Sequence, residues 1–204
     1  MTAAPSAQDA QDQQVQNDTR NWVHRAVIGL NLCPFAKAVQ SKGQVRYAIS
    51  HATRPKALLA DLERELQHLV ASDAAVLDTT LLIAPRGFAD FLAFHALLQR
   101  ADQLLQDLGL EGELQIASLH PHYQFADTEP DDISNYTNRA PHPTLHLLRE
   151  ASVERAVAAF PDPAAIYQTN IATMQRLGAR GWQQLQVGAT ALDTPHPEPG
   201  MGQP

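Results

Sequence analysis

The sequence has little of what marks several large classes of protein. It contains one cysteine in 204 residues, so no disulfide can form within the chain, and such cysteine usage is typical of a reducing cytosol. No apolar run approaches the length that crosses a bilayer, and the first residues lack the basic start and apolar stretch of a signal peptide. These absences predict a cytoplasmic protein with no membrane partner.

Positive charge is also scarce. The chain has 15 Lys and Arg against 22 Asp and Glu, with a formal net charge of -7, and its basic residues form no run. A protein of this kind lacks the basic patch that attracts a polyanion. We therefore predict no nucleic-acid partner, while the oligomeric state is left open.

Large apolar residues are sparse at both ends of the chain. Residues 1–18 are mostly Ala, Gln, Asp and Ser, and residues 188–204 are rich in Pro and Gly. Such compositions cannot offset the entropy of ordering, so they predict a disordered tail and a flexible tail. Residues 19–187 then form a single α/β domain.

Between the tails, apolar runs alternate with helical patterns. Short runs typical of strands alternate with patterns of helical period, and the resulting strands at 44–50, 79–84 and 113–119 are separated by helices at 55–70 and 87–108. Strands joined by helices of this length favour parallel neighbours. Residues 144–149 fit a strand or a helix, and we prefer a strand because Ser152 offers a cap for a following helix. The prediction is a three- or four-stranded, largely parallel sheet flanked by helices.

Residues 119–150 form the most unusual stretch of the chain. They contain four of the nine histidines together with paired carboxylates, and long irregular segments of ordered composition are often functional. His120 is the candidate general acid or base, with Asp131 or Asp132 to fix its tautomer. Asn135 and Asn138 are candidates for orienting a substrate, although asparagines in loops often bond only to their own backbone.

Arginines in and near this stretch suggest an anion. Arg86 follows a predicted strand, and ligands of parallel sheets bind where strands end. Arg139 carries a planar fork that suits a carboxylate or phosphate. Both are therefore candidate substrate-binding residues, and we predict a small-molecule anionic ligand.

The histidines also suggest a metal site as an alternative. His120, His122 and His146 are candidate ligands, since neutral imidazole binds zinc, iron and manganese. Their spacing matches no known ligand framework. A divalent metal is therefore an alternative that we do not favour, and the cofactor stays unknown.

Cys33 lies where a helix should end, because Pro34 disfavours helical geometry in the residue before it. A thiol at a bend is a candidate nucleophile. A free cysteine is more often a small buried apolar residue, so both interpretations stay open.

Several motifs together resemble an uncharacterised, mainly bacterial family, the domain of unknown function 1415, over about residues 20–185. They are Asn31-Leu32-Cys33-Pro34-Phe35-Ala36, His120-Pro121-His122-Tyr123-Gln124-Phe125, Asp131-Asp132, Asn135-Tyr136-Thr137-Asn138-Arg139-Ala140-Pro141, Pro143 and Leu145-His146-Leu147-Leu148-Arg149-Glu150. The resemblance implies no activity. It does imply that Arg149 belongs to the family pattern, and we count it among the substrate-binding candidates.

Three functions follow as hypotheses. The first is an enzyme, hydrolytic or metal-assisted, that acts on a small anionic substrate at a crevice of His, Asp, Asn and Arg. The second is a non-catalytic module that binds a small anion or nucleotide. The third is a thiol-dependent role through Cys33.

Overall fold

The computed structural model describes residues 6–158 and 163–190. Residues 1–5 of the tail predicted at 1–18, and residues 191–204 of the tail predicted at 188–204, lie outside the described residues. The described helices are α1 Ala7–Trp22, α2 Ala36–Ser41, α3 Pro55–Ala71, α4 Phe91–His95, α5 Leu97–Asp107, α6 Glu150–Ala158 and α7 Pro163–Gln184, the last interrupted at Gly178. The strands are β1 Val45–Ile49, β2 Thr79–Ile83, β3 Leu114–Leu119 and β4 Thr144–Arg149. A π-helix, Val23–Ile28, continues α1, and a 3-10 helix, Ile133–Asn138, precedes β4.

Among the described residues the strands form one sheet of four, in the order β1-β2-β4-β3. β1 and β2 are parallel, whereas β4 is antiparallel to both β2 and β3. The α/β class, the flanking helices and the strand at residues 144–149 are confirmed. The prediction of a largely parallel sheet is wrong. β3 runs in the same direction as β1 and β2, but the long connection before β4 lets that strand turn back and insert between β2 and β3.

The first face of the sheet packs against α3 and α5. Side chains of β2 and β4, such as Leu82, Leu145 and Leu147, meet a stripe of leucines on α3. The stripe recurs at helical spacing, and its members are at most 1% exposed: Leu58, Leu62, Leu66 and Leu69. Burying each leucine contributes about 2 kcal/mol, so this face is the main hydrophobic core.

The second face of the sheet is covered differently. Tyr47, Leu81 and Ile83 pack against Trp22 of α1, against the π-helix and against Val187 near the end of the described chain. This cluster is smaller than the first. It leaves part of the second face to a cavity.

The N-terminal helix differs from the sequence prediction of a disordered tail over residues 1–18. α1 begins at Ala7, because Ser6 and Asp9 form a reciprocal capping box. Its contacts with the domain involve few apolar groups: Val15 is 1% exposed and Asp18 is 4% exposed. Composition alone missed the helix because much of its attachment is polar.

The helix predicted over residues 87–108 also begins later than expected. Asp90 accepts a hydrogen bond from Ala93 N at 2.6 Å and caps the short helix α4, which starts at Phe91. Residues 84–90 are therefore a loop, and Arg86 does not stand at the start of a helix. No helix in the described ranges combines the length and hydrophobicity that a membrane span requires.

Candidate functional site

The predicted polar stretch leaves the sheet at one edge. The last residue of β2, Ile83, and the last residue of β3, Leu119, both pair with Thr144 at the start of β4. The loops after β2 and β3 therefore leave from the same edge, as predicted. The predicted site residues of these loops, however, do not all converge on one crevice. Arg86 bonds to α1 and His120 is buried, whereas His122 and Arg139 line a shared depression.

His120 is buried in the protein interior rather than placed in a crevice. It is 0% exposed and lies against the rings of Phe91 and Phe94, with ring centroids 5.6 and 5.5 Å away. Its Nε2 lies 2.9 Å from Phe88 O, and its Nδ1 accepts from His122 N at 3.0 Å. Burial lowers the pKa of His120, and the bond to the Phe88 carbonyl opposes that shift in part. Both ring nitrogens of His120 are thus hydrogen-bonded to backbone groups.

Asp132 caps the 3-10 helix. Its carboxylate accepts from Ser134 N at 2.8 Å, and this backbone bond holds the pKa of Asp132 below its usual value. It is not the group that orients His120, whose ring nitrogens have other partners. The predicted His120 and Asp132 pair is therefore not formed.

Asn135 organises the loop that precedes the 3-10 helix. Its Oδ1 accepts from Phe125 N at 2.9 Å and from Thr128 Oγ1 at 2.8 Å, and its Nδ2 donates to Glu129 O at 2.8 Å. The side chain is 0% exposed. Asn135 therefore holds the loop rather than a substrate.

Replacing Asn135 by alanine should lower the free energy of unfolding by about 2 kcal/mol, because three loop groups lose a buried partner. Urea denaturation measures the loss. The exposed Asn21 provides the matched control, since Asn21→Ala should change stability little. Equal stability of the two variants would contradict a structural role for Asn135.

Arg139 holds the same loop and borders a small depression. Its Nε donates to Tyr123 O at 3.1 Å, a terminal nitrogen donates to Pro130 O at 2.5 Å, and the guanidinium lies 4.2 Å from the ring centroid of Tyr136. With His122 it lines a depression of about 400 Å³. The predicted anion clamp is thus largely engaged by backbone carbonyls.

The other two predicted arginines also have structural partners. Arg86 donates to the side-chain oxygens of Gln8 and Gln11 and so fastens α1 to the sheet edge. Arg149, at the end of β4, donates to carbonyl oxygens at the end of α3 and in the segment that follows. The structure brings neither of them to Arg139.

The three histidines predicted as metal ligands are not brought together. His120 and His122 are near each other, with ring centroids 5.8 Å apart, but His146 lies within β4 with its Nε2 2.8 Å from Thr79 Oγ1. Within the described ranges no group of three or more His, Cys, Asp or Glu could hold a metal ion.

A large cavity lies over the second face of the sheet. It has a volume of about 1010 Å³ and is lined by residues of the sheet, the π-helix, α2, α6 and α7. Its walls are mainly apolar and include Val23, Val27, Phe35, Val39, Leu81, Phe125, Leu148, Val153, Tyr167 and Ile171. This size suits a small organic molecule. We call it the sheet-face cavity.

Part of the predicted site does line the sheet-face cavity. Cys33, Asn138 and His146 are on its wall, with Ser134 and Thr137. His146 is half-buried, and burial lowers its pKa to about 4, so the ring is neutral at pH 7. The thiol and the imidazole thus border one apolar space.

Two cations stand where β1 and β2 begin and β4 ends. Lys42, just before β1, and Arg155, on α6, both line the cavity and are otherwise exposed. Arg155 donates to Ser152 Oγ at 2.8 Å, and Ser152 donates to Asp78 at 2.6 Å. This end of the cavity therefore has two positive groups and one carboxylate that already accepts a hydrogen bond.

One donor on the cavity wall is unsatisfied. Trp22 is 4% exposed, and its indole Nε1 has no hydrogen-bond partner in the described structure. A buried unpaired donor costs about 1–3 kcal/mol. The π-helix that follows Trp22 is itself of a rare kind that often occurs at functional sites. Both features adjoin the cavity.

Comparison with known proteins identifies the family. The family described as protein of unknown function (DUF1415) matches residues 14–184. The chain belongs to the DUF1415 family. No curated protein and no solved structure matches it. The family that the sequence motifs suggested is therefore confirmed, and membership adds no activity.

The cavity of this DUF1415 chain includes groups that sequence reasoning missed. Lys42, Thr79, Arg155 and Trp22 belong to separate elements, so no local pattern joins them. His146 did carry a signal: in a strand, side chains alternate between faces, so it must point away from the face of Leu145 and Leu147.

Proposed function

We propose that the protein binds a small organic anion with an apolar body in the sheet-face cavity. The observation that carries the proposal is the cavity itself, about 1010 Å³ in volume with mainly apolar walls. Lys42 and Arg155 at one end favour a negative group there, since charge attraction is effective beside an apolar surface. The proposal thus retains the anionic ligand predicted from the sequence, but places it in the sheet-face cavity instead of near Arg86 and Arg139.

The smaller depression beside Arg139 is a weaker candidate for the anion. Asp90 lines it as Asp78 lines the sheet-face cavity, so a neighbouring carboxylate does not distinguish the two places. Arg139 itself already donates to two backbone carbonyls. A ligand there would compete with the bonds that hold the loop.

Catalysis by His120 has little support from the geometry. A general base needs a free nitrogen within reach of a substrate, and both nitrogens of His120 have backbone partners. Binding is therefore the function that we propose. The thiol of Cys33 borders the cavity, so ligand binding should change its access to reagents whether or not it reacts in the cell.

The proposal is tested with 1-anilinonaphthalene-8-sulfonate, a fluorescent apolar anion, and with decanoate as competitor. We expect saturable binding of the dye to the folded protein, displacement by decanoate, and slower alkylation of Cys33 by iodoacetamide when decanoate is present. Because the chain has one cysteine, its alkylation reports on this cavity alone. A folded protein that binds neither compound would contradict the proposal.

Filling the cavity should abolish this binding. Ala156→Trp places a large ring inside the space that α6 borders, and we expect the affinity for decanoate to fall at least about ten-fold. Ala38→Trp, on α2, introduces a ring into the same space from a different element. Ala60→Trp is the matched control, because Ala60 is exposed on α3, which packs on the other face of the sheet.

The charge of Lys42 and Arg155 is tested separately. The double variant Lys42→Gln, Arg155→Gln should bind decanoate about five-fold more weakly, since each exposed cation contributes modestly, and should bind decanol as well as the wild type does. Arg100→Gln, on the exposed side of α5, is the control. Unchanged affinity for decanoate in the double variant would remove the anionic part of the proposal.

A further inference from the structure

The floor of the sheet-face cavity presents a hydrogen-bond acceptor that no group of the described residues uses. His146 lies in the middle of β4 and lines the cavity. Its Nε2 is 2.8 Å from Thr79 Oγ1, and that same hydroxyl donates to Leu147 O at 2.6 Å. A threonine hydroxyl has one hydrogen, so towards His146 it can only accept.

The threonine therefore fixes the tautomer of the ring. Nε2 must carry the hydrogen that it donates to Thr79, which leaves Nδ1 as an unprotonated acceptor. Nδ1 has no hydrogen-bond partner among the described residues. The fully buried side-chain polar atoms without a partner in that part of the chain are Trp22 Nε1 and Thr80 Oγ1, so the unpaired Nδ1 is not fully buried. The acceptor is thus open to the cavity.

We propose that His146 selects ligands that carry a hydrogen-bond donor, so that the preferred ligand is a hydroxylated organic acid. This inference rests on the binding function proposed above. The carboxylate lies towards Lys42 and Arg155, the apolar body fills the cavity, and a hydroxyl group donates to His146 Nδ1. An acceptor in an apolar wall is unsatisfied when a ligand without a donor displaces its water, so such a ligand binds less well. His146 thereby acts in specificity.

The experiment compares acids that differ by one hydroxyl group. Isothermal titration of the full chain at pH 7 measures affinities for 10-hydroxydecanoate and decanoate, for 3-hydroxydecanoate and decanoate, and for 3-(4-hydroxyphenyl)propanoate and 3-phenylpropanoate. In the wild type we expect at least one hydroxylated acid to bind about five-fold more tightly than its partner.

Two variants separate the acceptor from the shape of the side chain. In His146→Gln the amide can still donate to Thr79 but places no acceptor where Nδ1 stood, so the preference should fall to less than two-fold while the affinity for the unhydroxylated acid stays. His146→Asn puts an amide oxygen near the Nδ1 position and should restore part of the preference. Circular dichroism confirms folding of both.

The outcomes distinguish this inference from the proposed function. If wild type binds the acids without any preference for a hydroxyl group, the role of His146 is overturned and the binding function stands. If the preference survives unchanged in His146→Gln, another group selects the donor and the inference is again overturned. If the folded wild type binds none of these acids, both proposals fail.

Discussion

Arg149→Met should lower the free energy of unfolding by about 3 kcal/mol, because a partly buried cation leaves three carbonyls without their partner. Its terminal nitrogen is 2.6 Å from Leu69 O and from Ser72 O, and 3.2 Å from Leu77 O. These oxygens include one from the last turn of α3, where a positive charge also stabilises the helix dipole. Arg149 therefore fixes the end of α3 to the end of β4.

Denaturation in urea measures this loss, with Arg100→Met as a control that removes an exposed arginine of α5. Arg149→Lys should recover only part of the stability, because the ammonium group of lysine lacks the planar fork with which a guanidinium reaches several carbonyls. If Arg149→Met were as stable as Arg100→Met, the fastening role would be wrong. The sequence-based role in substrate binding would then regain support.

Acidification should destabilise the protein through His146. Burial lowers the pKa of His146 from 6.5 to about 4 in the folded state, so between those pH values the unfolded chain binds a proton that the folded chain does not. Stability contributed by the neutral ring is full above pH 6.5 and is lost as the pH falls to about 4. The expected loss is about 3 kcal/mol.

The comparison that isolates this effect is wild type against His146→Gln. Burial also lowers the pKa of His120 and of His142, so the wild type should lose more stability than one histidine accounts for, but these two groups remain in the variant. The difference between the two stability curves should therefore change by about 3 kcal/mol between pH 7 and pH 4. Parallel curves would show that His146 titrates normally.

Several elements of this fold could be predicted from local patterns, but the N-terminal part of α1 and the arrangement of the strands could not. The leucine stripe of α3 and the short apolar runs of β1, β2 and β3 indicated their structures correctly. The prediction of a largely parallel sheet was wrong, because the direction and place of β4 depend on pairing between residues far apart in the chain, such as Thr80 with Leu147. Two strand orders with the same local sequence patterns differ only in such long-range contacts.

At the candidate site, too, local sequence patterns predicted some features and missed those that depend on long-range contacts. The stretch at 119–150 is unusually rich in polar residues, but composition could not tell whether a side chain bonds to a ligand or to its own backbone. Asn135 and Arg139 bond to carbonyls and amides of their own loop. The cavity was missed because the residues that line it come from many separate elements, and only the fold places them together.

The insertion of β4 also constrains how the chain reaches its native state. The strand that lies between β2 and β3 is the last of the four to be synthesised, and it pairs residue 80 with residue 147. Until residue 149 is available, β2 and β3 each keep an unpaired edge, which is a template for association with other chains. Because such distant pairing slows folding, nascent or truncated chains that end before β4 should depend on chaperones to avoid aggregation.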